Sequence, residues 1–146
     1  MLANTPLLAA LTAWLLVQAI KVPFNYRHTR KWHWHLVFSA GGMPSSHAAL
    51  VASLAWMIGL QNGFHTAIFA IAVVLVLIVL YDAAGVRWAA GQHARVINRF
   101  ILDLARGHPL KQEELREVLG HTPQQVATGT LFGIIISWLM WWWLET

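Results

Sequence analysis

The chain has 146 residues, 58% of them hydrophobic and 11% charged, with a net charge of +4 and no cysteine. Soluble domains carry roughly a quarter charged residues, so this composition cannot cover a water-facing surface and points to a single membrane-embedded domain, 1–146. The lack of cysteine excludes disulfides, thiolate chemistry and cysteine-based zinc sites, and the grouping of the basic residues described below excludes a nucleic-acid-binding face.

A helix crossing the hydrocarbon core needs roughly 20 apolar residues, and four stretches approach that length. The expected spans lie at about 5–24, 43–60, 64–81 and 123–144. The first reaches full length if Lys21 snorkels to the interface. The second is short and relies on the polar "GGMPSS" segment before it. The third, from Phe64 to Tyr81, is apolar throughout. Between the third and fourth, Val96, Ile97, Phe100, Ile101 and Leu104 recur at helical spacing with Arg95 and Arg99 among them. That pattern predicts an amphipathic helix lying in the membrane interface. The fourth span opens with Thr122-Pro123-Gln124-Gln125, an N-cap, a proline at the first helical position and a capping-box glutamine. It ends in Trp138, Trp141, Trp142 and Trp143, an aromatic belt. Gly129 and Gly133 form a G-x-x-x-G pair that admits a close helix neighbour, either within the protomer or in a homodimer. The fold class is therefore all-α: an integral membrane bundle of about four transmembrane helices plus one interfacial amphipathic helix.

Every Lys and Arg falls in or beside the connections at 25–42 and 82–122. With four spans both connections share one side, and the bias of Lys and Arg toward the cytoplasm makes that side cytoplasmic. Polar groups collect at the same end. Lys21 closes the first span, "GGMPSSH" opens the second, and "YDAAGVRWAAGQH" follows the third. Polar groups at membrane depth usually mark a site. A helix start behind Pro44-Ser45-Ser46 suits an anion, phosphate above all. Ser45 and Ser46 offer hydroxyls, His47 a general acid, and His93 a nucleophile. Lys21, Arg27 or Arg30, and Arg87 supply positive charge, Arg87 with a fork that fits two oxygens. His33-x-His35 has no third ligand at helical spacing, so no metal is expected. Asp82 reads either as an ion-pair partner of Arg87 or as a carboxylate of the site, and His121 as a cap that also lies within reach of the pocket.

"PSSH" at Pro44–His47, followed after an intervening span by Arg87-x5-His93, resembles two motifs of the phosphatidic acid phosphatase type 2 and vanadium haloperoxidase superfamily, P-S-G-H and S-R-x5-H-x3-D. Together with "LGHTPQQVATGTLFG", the chain looks like the divergent branch of small membrane proteins in that superfamily, over roughly residues 18–133. The resemblance implies that His93 attacks phosphorus and that His47 protonates the leaving group. It also implies that Lys21, Arg27 or Arg30, Ser45, Ser46 and Arg87 hold phosphate. The chain departs from the motifs at Arg27, one residue early and without a following proline. Val86 stands where a serine is expected, and Ile97 where the orienting aspartate is expected. Asp82 is the candidate replacement for that carboxylate, with Asn98 and Asp103 as further choices.

The function expected on these grounds is hydrolysis of a lipid phosphomonoester or diphosphate at the cytoplasmic face, without cofactor. Phosphatidylglycerophosphate, phosphatidate or a polyprenyl phosphate would suit. The alternative is a non-catalytic phospholipid-headgroup binder or lipid transporter using the same anion pocket. The expected setting is a bacterial inner membrane, with the bilayer and the lipid substrate as partners.

Overall fold

The computed structural model describes residues 4–32, 42–105 and 121–145. Among these the chain is helical apart from short connections: α1 (Thr5–Thr29), α2 (Ser46–Asn62), α3 (Ala67–Tyr81), a π-helical turn (Asp82–Val86), α4 (Arg87–Ala105) and α5 (Pro123–Glu145).

Local chemistry sets these boundaries. Asn4 caps α1, its Oδ1 accepting from the Leu7 N–H at 3.1 Å. The helix continues past Pro23 to Thr29, five residues beyond the expected end. The Thr29 hydroxyl donates to the Asn25 carbonyl at 3.0 Å, and Tyr26 stacks on Trp32 at 4.5 Å. Arg30 then stops the helix in the left-handed conformation, φ 57°, donating its N–H to the Tyr26 carbonyl. Gly63, φ 94°, makes the turn out of α2, and Thr66 caps α3 a few residues later. The expected capping box of α5 is present. Thr122 Oγ1 accepts from the Gln125 N–H at 3.4 Å, and Gln125 Oε1 accepts from the Thr122 N–H at 3.1 Å.

The bundle places small residues inside and large ones outside. On α1, Ala9, Ala10, Ala13 and Val17 are buried, whereas Leu7, Leu8, Leu11, Leu15 and Leu16 face outward. On α3 Ala72 is the buried position, and Ile68, Ile71, Val74, Leu77 and Ile78 are exposed. Water would reject such a surface, and lipid tails accept it. In lipid, helix association depends on close packing and interhelical hydrogen bonds, so interfaces favour Gly, Ala and Ser. α1, α3 and α5 each have the length and hydropathy to cross a membrane. α2, at 17 residues, spans about 25 Å and is the central helix, packed by all three. The architecture is therefore a multi-pass helical bundle, with three full-length spans around a shorter fourth helix. Trp138, Trp142 and Trp143 near the end of α5 are exposed, and Trp141 is half-buried.

The closest packing is between α2 and α5. A Cβ at Gly129 would overlap the Ser45 carbonyl, and one at Gly133 the Ala49 carbonyl. One turn on, the Ser137 hydroxyl donates to the Ser53 carbonyl at 3.1 Å. The glycine pair thus serves packing within the protomer. The paired positions advance together along both helices, so α2 and α5 run parallel. α1 lies antiparallel to α2, because its end, at Lys21, meets the start of α2. α3 returns from α2 through the tight turn at 63–66. The ends of α1 and α3 and the starts of α2 and α5 consequently share one end of the bundle, where Lys21, Arg27 and Arg30 also lie. There the sequence expectation of a connection at 82–122 becomes helix as far as Ala105: the π turn continues from α3 and leads into α4.

Candidate functional site

The segment at 42–47 is built for a specific approach to α5. Gly42 has φ 89°, a conformation that favours glycine, and Pro44 and Ser45 are buried. Ser45 makes three contacts. Its side chain caps α2 by accepting from the Ala48 N–H at 3.4 Å, its carbonyl accepts from the Ala49 N–H, and its N–H donates to the Gln125 carbonyl at 3.0 Å. Ser45 therefore ties the starts of α2 and α5 together. Ser46 faces α1 instead: its Oγ accepts from Lys21 Nζ at 3.1 Å, with both residues almost fully enclosed. The expected snorkelling of Lys21 is corrected here. Its side chain turns into the bundle toward the start of α2, because a hydroxyl acceptor is available there and the lipid face of α1 is leucine.

Two parallel helix starts side by side aim their positive dipole ends and first-turn N–H groups in one direction, and a buried lysine joins them. Beside this cluster lies a cavity of about 360 Å³, lined by Lys21, Asn25, Gly42, Thr122, Gln124 and Gln125 among others. Its size is within the range of small-ligand pockets. The donors around it suit an oxyanion.

The histidines divide. His47 is half-buried at the first turn of α2, its ring centroid 6.5 Å from that of buried His121. The N–H of His121 donates to the Ala83 carbonyl at 3.1 Å, tying the start of α5 to the π turn. His121 Nδ1 lies 3.2 Å from Gln125 Oε1. That oxygen also accepts from the Thr122 N–H, which fixes the amide's orientation, so Nδ1 of His121 must be the donor. Neutral His121 then keeps its lone pair on Nε2. The cap of α5 is Thr122, and His121, one residue before it, instead ties α5 to the π turn and sits beside His47.

His93 is exposed. It shares a stripe of α4 with Val96, Ile97, Phe100 and Leu104, at spacings of three, four, seven and eleven, all exposed and opposite the buried Gly91 and Asn98. The predicted amphipathic pattern of α4 is present, and His93 belongs to its apolar face. α4 packs chiefly on the π turn that leads into it. Arg27 and Arg30 are exposed at the end of α1, and Asp82 is half-buried at the head of the π turn. Arg87 opens α4, but its side chain and those of His28 and Asp103 lie outside the described residues, as do His33, His35 and His108. The Asp82–Arg87 ion pair falls there too. Among the described residues no three His, Asp or Glu side chains converge as metal ligands.

The structure therefore brings together Lys21, Ser45, Ser46, His47 and His121 and holds His93 on a separate helix face. Sequence reasoning credited Gln125 only with a cap, yet it also orients His121 and lines the cavity. The one available signal was its position four residues after a histidine at a helix start.

Comparison with known proteins settles the lineage. The family model described as Divergent PAP2 family matches residues 2–136. The chain belongs to that family. This divergent PAP2 protein is also 40% identical over 148 residues to the uncharacterized membrane protein YuiD of Bacillus subtilis (strain 168), with 94% of each chain covered. No solved structure matches it significantly. The relative is itself described as a membrane protein, in keeping with the long apolar helices described above.

Proposed function

We propose that this divergent PAP2 protein is a membrane lipid-phosphate phosphatase acting at the cytoplasmic face of a bacterial inner membrane. The observation that carries the reading is the buried Lys21 Nζ–Ser46 Oγ contact at the start of α2, with His47 on the same turn and a cavity alongside whose lining mixes Lys21, Asn25 and Gln124 with Phe24 and Met43. In this reading the lipid's phosphate occupies that cavity, with Lys21 and the positive ends of α2 and α5 facing it and Ser46 holding the lysine in place. Arg87, with Arg27 or Arg30, closes over it from the neighbouring connections, and Asp82 is the carboxylate available to orient a histidine. His93 Nε2 attacks phosphorus, the bond from phosphorus to the lipid oxygen breaks, and His47 gives that oxygen its proton. Water then attacks the phosphohistidine, releasing inorganic phosphate and regenerating His93. The chemistry requires α4 to turn His93 from its exposed face toward α2. Phosphatidate, phosphatidylglycerophosphate and polyprenyl phosphates fit a cavity that opens beside hydrocarbon.

A second reading has its own support. His93 is exposed among apolar side chains and Ile97 occupies the place of the family's aspartate. Both favour a protein that binds or moves a phosphorylated lipid without hydrolysing it. One assay separates the two: phosphate release by purified protein in detergent from a panel of these lipids, with and without vanadate. Hydrolysis predicts vanadate-sensitive release that falls at least a hundredfold in His93→Ala. Equal release by wild type and His93→Ala removes the nucleophile. No release, with retained lipid binding, establishes the second reading.

A further inference from the structure

α3 and α5 each pack on α2 and leave a groove of about 680 Å³ between them, walled by Leu77, Leu80 and Ala84 on one side and Val126, Ala127 and Ile134 on the other. Its polar side chains are few. Thr130 satisfies its hydroxyl within α5, donating to the Val126 carbonyl at 3.0 Å, and Tyr81 is largely exposed at the lip. The rest of the wall is apolar.

The position of the groove selects its occupant. Both wall helices are long and apolar enough to cross a membrane, so the groove opens to hydrocarbon. On α5 it runs from Pro123, the first residue after the polar cap at Thr122, to Ile134. Eleven residues rise about 16 Å, close to half of the roughly 30 Å hydrocarbon core. The groove is one leaflet deep. Its upper end lies at the same turn of α5 whose other face, Thr122, Gln124 and Gln125, lines the cavity beside Lys21. An amphiphile with a polar end and one leaflet of hydrocarbon matches both spaces. A polar peptide or a free sugar phosphate matches only one.

We infer that the α3–α5 groove is a lipid-chain site, holding one hydrocarbon tail of the phosphorylated lipid whose headgroup lies against the first turn of α5. This inference rests on the phosphate-binding reading above for the headgroup and on the groove itself for the tail. It assigns admission of that tail to Ala84 and Ala127, the small residues that keep the headgroup end of the groove open.

The natural chain has no cysteine, so one introduced thiol reports on one position. Ala127 is exposed within the groove, and Ala127→Cys adds little bulk there. Ile71→Cys, at a position 70% exposed on α3 and outside the groove lining, is the control. Alkylation by N-ethylmaleimide is followed in detergent micelles containing dioleoyl phosphatidate, dioleoylglycerol or glycerol 3-phosphate. The expected result is at least a threefold slowing of the Ala127→Cys variant by phosphatidate and none of the Ile71→Cys variant. Glycerol 3-phosphate should slow neither. Equal slowing of Ala127→Cys by dioleoylglycerol keeps the chain site and removes the phosphate reading. Absence of slowing by both long-chain lipids, or the same slowing in Ile71→Cys, overturns the groove assignment. Oxidative coupling of two Ala127→Cys chains through the introduced thiols overturns it in favour of another copy of the chain.

Discussion

Replacing Gly133 with alanine tests the packing that positions the site. The new Cβ would lie 2.9 Å from Ala49 Cα and overlap the Ala49 carbonyl oxygen. Both obstacles are backbone, so no rotamer change relieves them and α5 must move off α2. Overpacking of this kind destabilises by about 1–3 kcal/mol. Separation also weakens the Ser137–Ser53 hydrogen bond, worth about 0.6 kcal/mol in a membrane interior. Against this, alanine gains about 1 kcal/mol over glycine in helix propensity. The net expectation is a loss of about 0.5–2.5 kcal/mol. The same change at Gly85 meets nothing within 4 Å and should leave stability unchanged or raise it by up to about 1 kcal/mol. Thermal unfolding of both variants in one detergent, followed by circular dichroism, measures the contrast. If Gly133→Ala melts at or above the wild-type temperature while Gly85→Ala does not differ, the α2–α5 seam is not the close contact described.

Three further predictions concern the site. Lys21→Met keeps the bulk of the buried side chain and removes its charge, so binding of inorganic phosphate or vanadate should weaken at least tenfold by isothermal titration, with the helical circular dichroism retained. Gln125→Ala removes both the cap on Thr122 N–H and the acceptor for His121 Nδ1, and should lower stability by about 1–2 kcal/mol in chemical denaturation. Ile97→Asp restores a carboxylate one helical turn from His93; if hydrolysis is limited by the missing aspartate, phosphate release should rise several-fold, and an unchanged rate would show that orientation is not the limit.

Much of the fold could be read from pattern. Long apolar runs and the Thr122–Gln125 capping box placed α3 and α5 within a few residues of where they lie. The start of α2 was expected at 43 and falls at Ser46, because Ser45 is the better cap. Other features depend on partners distant in sequence. Gly129 and Gly133 announce a close neighbour, but only the fold chooses α2 over a second protomer. Lys21 was expected to reach for water, since a lone cation in a span usually does. Ser46, 25 residues away, gives it an interior alternative. His93 carries the family's spacing, yet spacing does not report that α4 turns this residue outward with Phe100 and Leu104. The role of Gln125 was hidden because one side chain performs two tasks, and the local one accounts for its presence.

The alanine-lined interior of α1 and α2 changes what counts as damage to this protein. In a water-soluble core the harmful substitutions are chiefly those that remove atoms and leave voids. Here much of the interior is already alanine, serine or glycine, and backbones touch along the central seam. Mutational sensitivity should therefore track the volume added at inward positions, while the leucines outside can be trimmed or exchanged with little effect.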